Sequence, residues 1–211
     1  MSNIFCFGTN GGCLDAFYLL KEICNDTDQL FFLSDNHIPG EIICDHEVAG
    51  PFKYAISPEA KGQEFIYQCG SVQNHRKRHA WFHKAVENGM APKTLISDQA
   101  YIHSTAVIGC GSIIYSGVKI MANVKLGENC IVLPNTVINH DVILGNHCII
   151  NSLCVLNGGV ELGYNCYVGA ASALKENITI PPETTIGMSS VVLHSLEKSG
   201  VYFGSPAKFI R

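Results

Sequence analysis

Asn139-His140-Asp141 puts an imidazole next to a carboxylate, and eighteen residues further on Asn157-Gly158-Gly159 offers almost no side chain. An imidazole titrates near 6.5 when unperturbed, so it can take and return a proton at neutral pH. A neighbouring carboxylate can fix its tautomer and steady the imidazolium. The two glycines would leave a groove beside the histidine for a reacting group. A second reading stays open at this point. Asp tolerates a left-handed corner as Asn does, so backbone geometry alone also accounts for Asp141, and His140 is then a solvated residue. His103, His147 and His194 have no comparable glycine gap and read as structural.

A second candidate lies near the start. The apolar run Ile4 to Phe7 ends in Gly8-Thr9-Asn10-Gly11-Gly12, and Leu14 to Ile23 follows with helical spacing. Free N–H groups at such a helix start can hold an anion. A second run, Leu30 to Leu33, ends at Ser34-Asp35, and a third, Phe65 to Cys69, ends at Gly70-Ser71. A helix from Asn74 to Asn88 follows, closed by Gly89. The order strand, glycine loop, helix, strand predicts a βαβ unit, with Asp35 placed to meet a ribose or base. The loop is not G-x-G-x-x-G, and the unit is short for a dinucleotide site. It favours a nucleotide or nucleotide sugar over NAD, unless the glycines serve turn geometry alone. His75, His79 and His83 share one helix face, but no further ligand is apparent, so a solvated or interface face is preferred to zinc.

These candidates need a frame to hold them, and the frame is periodic. From Ile102 to Val192 every sixth residue is Ile, Leu or Val, without a slip. Four residues after each comes a small or branched residue, and the slot between is often Gly or Asn, which accept a left-handed backbone at low cost. A period of six is the signature of a hexapeptide parallel β-helix. Three hexads make a coil, so residue n stacks on n+18. The columns Gly109, Gly127, Gly145, Gly163 and Cys130, Cys148, Cys166 carry that period independently. About five coils result, roughly 4.8 Å apart. The cysteine column is read as small buried residues, with no metal.

Composition narrows the rest. Net charge is -4 and the longest basic run is Arg76-Lys77-Arg78, which argues against nucleic acid as a main partner. No run of eighteen apolar residues and no cationic leader appear, so neither a membrane span nor a signal peptide is expected. Ten cysteines, four at inward slots, suit a reducing cytoplasm. The expected fold is a Rossmann-like α/β domain over 1–92, an all-β left-handed parallel β-helix over 93–197, and a C-terminal tail over 198–211.

The glycine loop, the unbroken hexads, Val137-Ile138-Asn139-His140-Asp141 and the closing Gly204-Ser205-Pro206-Ala207-Lys208 together resemble the sugar acetyltransferases of the bacillosamine and sialic-acid type. The resemblance covers nearly the whole chain. It implies a homotrimer with active sites between neighbouring β-helices, acetyl-CoA along the coils, and no metal. It implies His140 as general base, oriented by Asp141, with Gly158, Gly159 and Ala170 along acetyl-CoA. A nucleotide-linked amino sugar, UDP-linked by preference, would be held by Gly8, Thr9, Asn10, Gly11, Gly12, Asp35, Gly70 and Ser71. Two departures stand out: Ile149 replaces a second histidine common in such enzymes, and Gly12-Cys13 replaces a His-Gly ending. The function implied is N-acetylation in bacterial surface-glycan synthesis. Sugar O-acetylation, or a non-catalytic trimeric scaffold or sugar-nucleotide sensor, are the alternatives.

Overall fold

The computed structural model describes residues 3–24, 27–68 and 75–211, the side chains of 75–77 excepted. It divides into two compact units, Met1–Leu95 and Ile96–Arg211.

The first unit is built on β1 (Asn3–Phe7), α1 (Gly12–Ile23), β2 (Gln29–Leu33), β3 (Ile42–Ile43), β4 (His46–Gly50), β5 (Glu64–Tyr67), α2 (His75–Glu87) and β6 (Ala91–Pro92). The sheet order is β3-β4-β2-β1-β5-β6, and only β3 is antiparallel to its neighbour. Strand β1 is apolar on both faces because both are covered, as parallel sheets require. Phe17 of α1 packs on Phe32 at 4.5 Å between ring centres, while Phe82 of α2 packs on Phe65 at 5.5 Å. The two helices therefore cover opposite faces. The βαβ reading accounts for β1, α1, β2, β5 and α2. Strands β3, β4 and β6 were not anticipated, being two residues long or mixed in polarity. A tight turn at Cys44 (φ 47°) and Asp45 (φ 65°) links β3 to β4.

The second unit is the parallel β-helix. Two-residue strands stack in three parallel sheets, and the register runs Ile113↔Ile131↔Ile149↔Tyr167↔Thr185 down one side, every step eighteen residues. The inward aliphatics, from Ile114 through Leu144 to Val192, form one buried core. Every corner from Gly111 to Ser189 has its αL residue at the expected slot. That set includes Leu153, Ala171 and Glu183, which do not favour the conformation. A left-handed residue other than glycine costs roughly 1–2 kcal/mol. The offset comes from the stack, because the N–H of each such residue donates to the coil before. Asp141 donates to Ala122 at 3.0 Å, Leu153 to Pro134 at 3.2 Å, and Ala171 to Ser152 at 2.9 Å.

The small inward slot has a chemistry that the apolar reading of its cysteines did not include. Cys130, Cys148 and Cys166 donate their S–H to the carbonyls of Gly145, Gly163 and Pro181 at 3.2–3.3 Å. Ser112, Thr136 and Ser172 donate in the same way to carbonyls fifteen residues ahead. The thiols are thus hydrogen-bonding members of the core. Burial pushes the Cys154 thiol up to about 11, which keeps it protonated as a donor.

The glycine column has a steric cause. A Cβ at Gly145 would lie 2.6 Å from the Tyr164 nitrogen, against backbone that cannot yield. Gly145→Ala is therefore expected to destabilise the fold by about 1–3 kcal/mol or more, as overpacking does. Thermal melts check it, with a loss of several degrees expected. Residues 198–211 belong to the second unit. Val201–Phe203 pairs parallel to Thr185–Ile186, and Lys208–Phe209 folds back antiparallel on it. No described helix is long and apolar enough to cross a membrane.

Candidate active site

His140 and Asp141 form the corner between the strands Val137–Ile138 and Ile143–Leu144. Asp141 takes the αL position at φ 60°, which turns its carboxylate back beside the preceding ring. Oδ2 lies 2.8 Å from His140 Nδ1, and Oδ1 accepts a hydrogen bond from Asn123 Nδ2 at 3.0 Å. The His140 bond, and after it the Asn123 bond, holds the Asp141 carboxyl below the usual carboxylate range. An ionised carboxylate only accepts, so the nitrogen facing it, Nδ1, carries a proton, and in a neutral ring the lone pair is then on Nε2. The side chains are 68% and 57% exposed, and an ion pair so exposed contributes little to stability. The pair is not there to hold the fold.

The ring lies over Gly158 of the next coil. A Cβ at Gly158 would come within 2.6 Å of His140 Nε2, and its other near neighbours are atoms of the same ring. Gly158 has no left-handed φ to satisfy, and the nearest atoms to a side chain there would be those of the imidazole. Gly159 takes the αL turn at φ 70° and donates its N–H to the His140 carbonyl at 3.0 Å. An open groove of about 400 Å³ runs along this corner, lined by Asn139, His140, Asn157, Gly158, Glu176 and Asn177. Asn157 donates to the Leu174 carbonyl at 2.8 Å, so its amide is held by the coil. A second groove of about 440 Å³ lies on the Asp141 side, lined by Thr105, Asn123, Lys125, Asp141 and Ile143. The histidine and its carboxylate thus stand between two open grooves.

His140, Asp141, Gly158 and Gly159 come together as expected. Ala170 does not line the groove; it sits on another corner, between Tyr167–Val168 and Ala173–Leu174. Ile149 is fully buried in a strand on a different side of the coil. His147 is the αL residue of its corner, 3.0 Å from Asn129 Nδ2, and His103 bonds locally to Thr105. Asn123, Lys125, Glu176 and Asn177 were missed by the sequence reading. Asn123 and Asn177 were findable by arithmetic, since they share the eighteen-residue column of Asp141 and Gly159.

In the first unit, Gly8 to Gly12 follow the carboxyl end of β1 and Asp35 follows that of β2. The sheet order changes direction between β1 and β5, the place where open α/β sheets bind ligands. The glycines have different causes. A Cβ at Gly8 (φ 92°) would strike the Cys13 thiol, and one at Gly12 would lie 2.7 Å from Gln68 Nε2. Gly11 (φ 51°) caps α1 and faces open space. Cys13 Sγ donates to the Gln68 carbonyl at 2.7 Å, tying α1 to the end of β5. Asp35 Oδ1 accepts from the Phe52 N–H at 2.9 Å, so Asp35 also holds the loop after β4. Gly70 and Ser71 lie outside the described residues, as does the side chain of His75. His79 and His83 stand on α2 with ring centres 6.3 Å apart.

Comparison with known proteins places these features. A bacterial transferase hexapeptide model of six repeats matches residues 105–140 and 123–158, which includes the His140 corner and Gly158. No curated protein matches the sequence. Among solved structures, the acetyltransferase domain of PglB from Neisseria gonorrhoeae FA1090 in complex with acetyl coenzyme A is 22% identical. The match has a TM-score of 0.87 and covers 99% of this chain and 98% of that one. A mutant of GDP-perosamine N-acetyl transferase from Caulobacter crescentus in complex with CoA and GDP-perosamine is also 22% identical, with TM-score 0.86, covering 100% and 97%. WeeI from Acinetobacter baumannii AYE is 18% identical over 100% of both chains, with TM-score 0.73. Residues 105–158 thus match the hexapeptide-repeat model, and the chain has the fold of these structures along its whole length.

Proposed function

We propose that this chain is an acetyl-CoA-dependent N-acetyltransferase that acetylates a nucleotide-linked amino sugar for a bacterial surface glycan. The observation that carries the reading is the His140 ring, held at Nδ1 by Asp141 and lying over Gly158, in a groove on a hexapeptide β-helix. The neighbours with acetyl coenzyme A, or with CoA and GDP-perosamine, supply the two substrate classes. The sugar amine attacks the thioester carbonyl, the C–N bond forms, and the nitrogen becomes cationic. His140 Nε2 takes that proton, and backbone N–H groups of the adjoining coil steady the oxyanion, a contribution of several kcal/mol where preorganised. The C–S bond then breaks, and the proton passes from His140 to the departing thiolate. Gly158 makes way for the His140 ring, Gly159 beside it gives the acetyl end its room, and Ala170 lies farther along the coils. Three subunits form the enzyme, with the exposed His140 corner at their junctions, and acetyl-CoA sets its place in the cytoplasm. Thiol release from acetyl-CoA, measured with UDP-, dTDP- and GDP-linked amino sugars and with hydroxy sugars, tests the reading. Turnover only with hydroxy sugars would make it an O-acetyltransferase, and a monomer by light scattering would remove the shared site.

The nucleotide belongs at the loop Gly8 to Gly12, with Thr9, Asn10 and Asp35, and with Gly70 and Ser71. Gly11 faces open space at the start of α1, where a phosphate would sit. A bulky residue at Gly11 is expected to weaken nucleotide-sugar binding about tenfold or more and to leave acetyl-CoA binding unchanged. Ligand-induced shifts in Tm measure both. Equal loss of both ligands would place the nucleotide elsewhere.

A further inference from the structure

We infer that Asn123 is a positioning residue for the reaction, holding Asp141 so that His140 presents Nε2 as the base; this rests on His140 being that base. The three side chains form a relay across two coils. Asn123 Nδ2 donates to Asp141 Oδ1 at 3.0 Å, while Asp141 Oδ2 faces His140 Nδ1 at 2.8 Å. Each carboxylate oxygen thus has its own partner. The torsion that turns a carboxylate is broad and shallow, so one exposed partner alone leaves it free to swing. Two partners on opposite sides set its plane. Asn123 is itself anchored, because its N–H donates to Thr105 Oγ1 at 2.8 Å and that hydroxyl is 3.0 Å from His103 Nδ1.

The corner does not need an amide for its shape. Asn123 is an αL residue at φ 62°, and glycine fills the same slot at Gly117 and Gly159, alanine at Ala171. What distinguishes position 123 is that the next residue in its column is the carboxylate beside His140. The Asn123 bond also contributes to the low pKa of Asp141. Other charged groups lining the two grooves are Lys125 on the Asp141 side and Glu176 on the His140 side.

Nitrogen NMR of the full chain, without substrate, reads the tautomer of neutral His140 directly. The native protein is expected to show chiefly the Nδ1–H form. Asn123→Gly is expected to lower the ratio of Nδ1–H to Nε2–H by about two- to tenfold, the effect of one hydrogen bond. Asp141→Asn should lower it at least as far. Asn123→Ala serves if the glycine variant folds poorly, since both residues occur at this slot elsewhere in the chain. An unchanged ratio in the Asn123 variant beside a fall in Asp141→Asn overturns the proposal, leaving Asn123 as a corner residue. An unchanged ratio in both overturns it too. Because the tautomer is measured without turnover, this result is separate from whether His140 is the base. That question is decided by His140→Ala.

Discussion

His140→Ala is expected to lower kcat by about 10²–10⁴-fold, the range of a positioned general base, with little change in KM for acetyl-CoA. The amine is already a fair nucleophile when neutral, so the base is needed as the tetrahedral intermediate forms and the nitrogen must lose its proton. Nothing in the fold depends on the ring, which is 68% exposed, so the melting temperature should hold. Asp141→Asn is the sharper companion. Asparagine takes the same left-handed corner at Asn123, Asn135 and Asn177, so the backbone is kept and only the charge is lost. A rate loss of about tenfold or more is expected, because the imidazole is then free to turn its N–H toward the substrate. Steady-state kinetics on the nucleotide sugar found by the panel would measure both. Near-full activity of His140→Ala would instead mean that the amine attacks unaided, with solvent taking the proton.

Gly158→Ala should cost nearly as much by a different route. The backbone at Gly158 is one that alanine adopts freely, and the atoms nearest its Cβ belong to the His140 ring, with Nε2 at 2.6 Å. The methyl group would push the imidazole off the groove floor and away from Asp141 without touching the core. The expected result is a kcat loss of about 10²-fold, at the low end of the general-base range, with an unchanged melting temperature. The double variant identifies the cause. If the glycine serves the imidazole, adding Gly158→Ala to His140→Ala has no further effect, because residues acting as one unit are not additive. A further loss in the double variant would show that the glycine serves the acetyl group instead.

Much of this molecule is determined by its chain alone, and the physical reason is periodicity. A side chain every six residues with one inward orientation sets the strand pairs, the three sides and the core from Ile114 to Val192. Stacking by eighteen then places Gly158 next to His140, so the heart of the candidate site could be found by counting. The first unit was legible where strands were apolar on both faces and helices had a clear periodicity. It was not legible at β3, β4 and β6: β3 is a two-residue strand in a hairpin with β4, and β4 and β6 are placed by pairing with β2 and β5. Tertiary structure alone decided that Leu153, Ala171 and Glu183 turn left-handed corners, since cross-coil hydrogen bonds outweigh their local preference. It also decided that the core thiols donate to carbonyls of the following coil, and that Asp35 bonds the loop after β4. Above all, it decided the division of the Asp141 carboxylate between Asn123 and His140. Residue spacing brings those three side chains to one corner. Which oxygen faces which nitrogen depends on side-chain torsions across two coils, and no pattern along the chain encodes them.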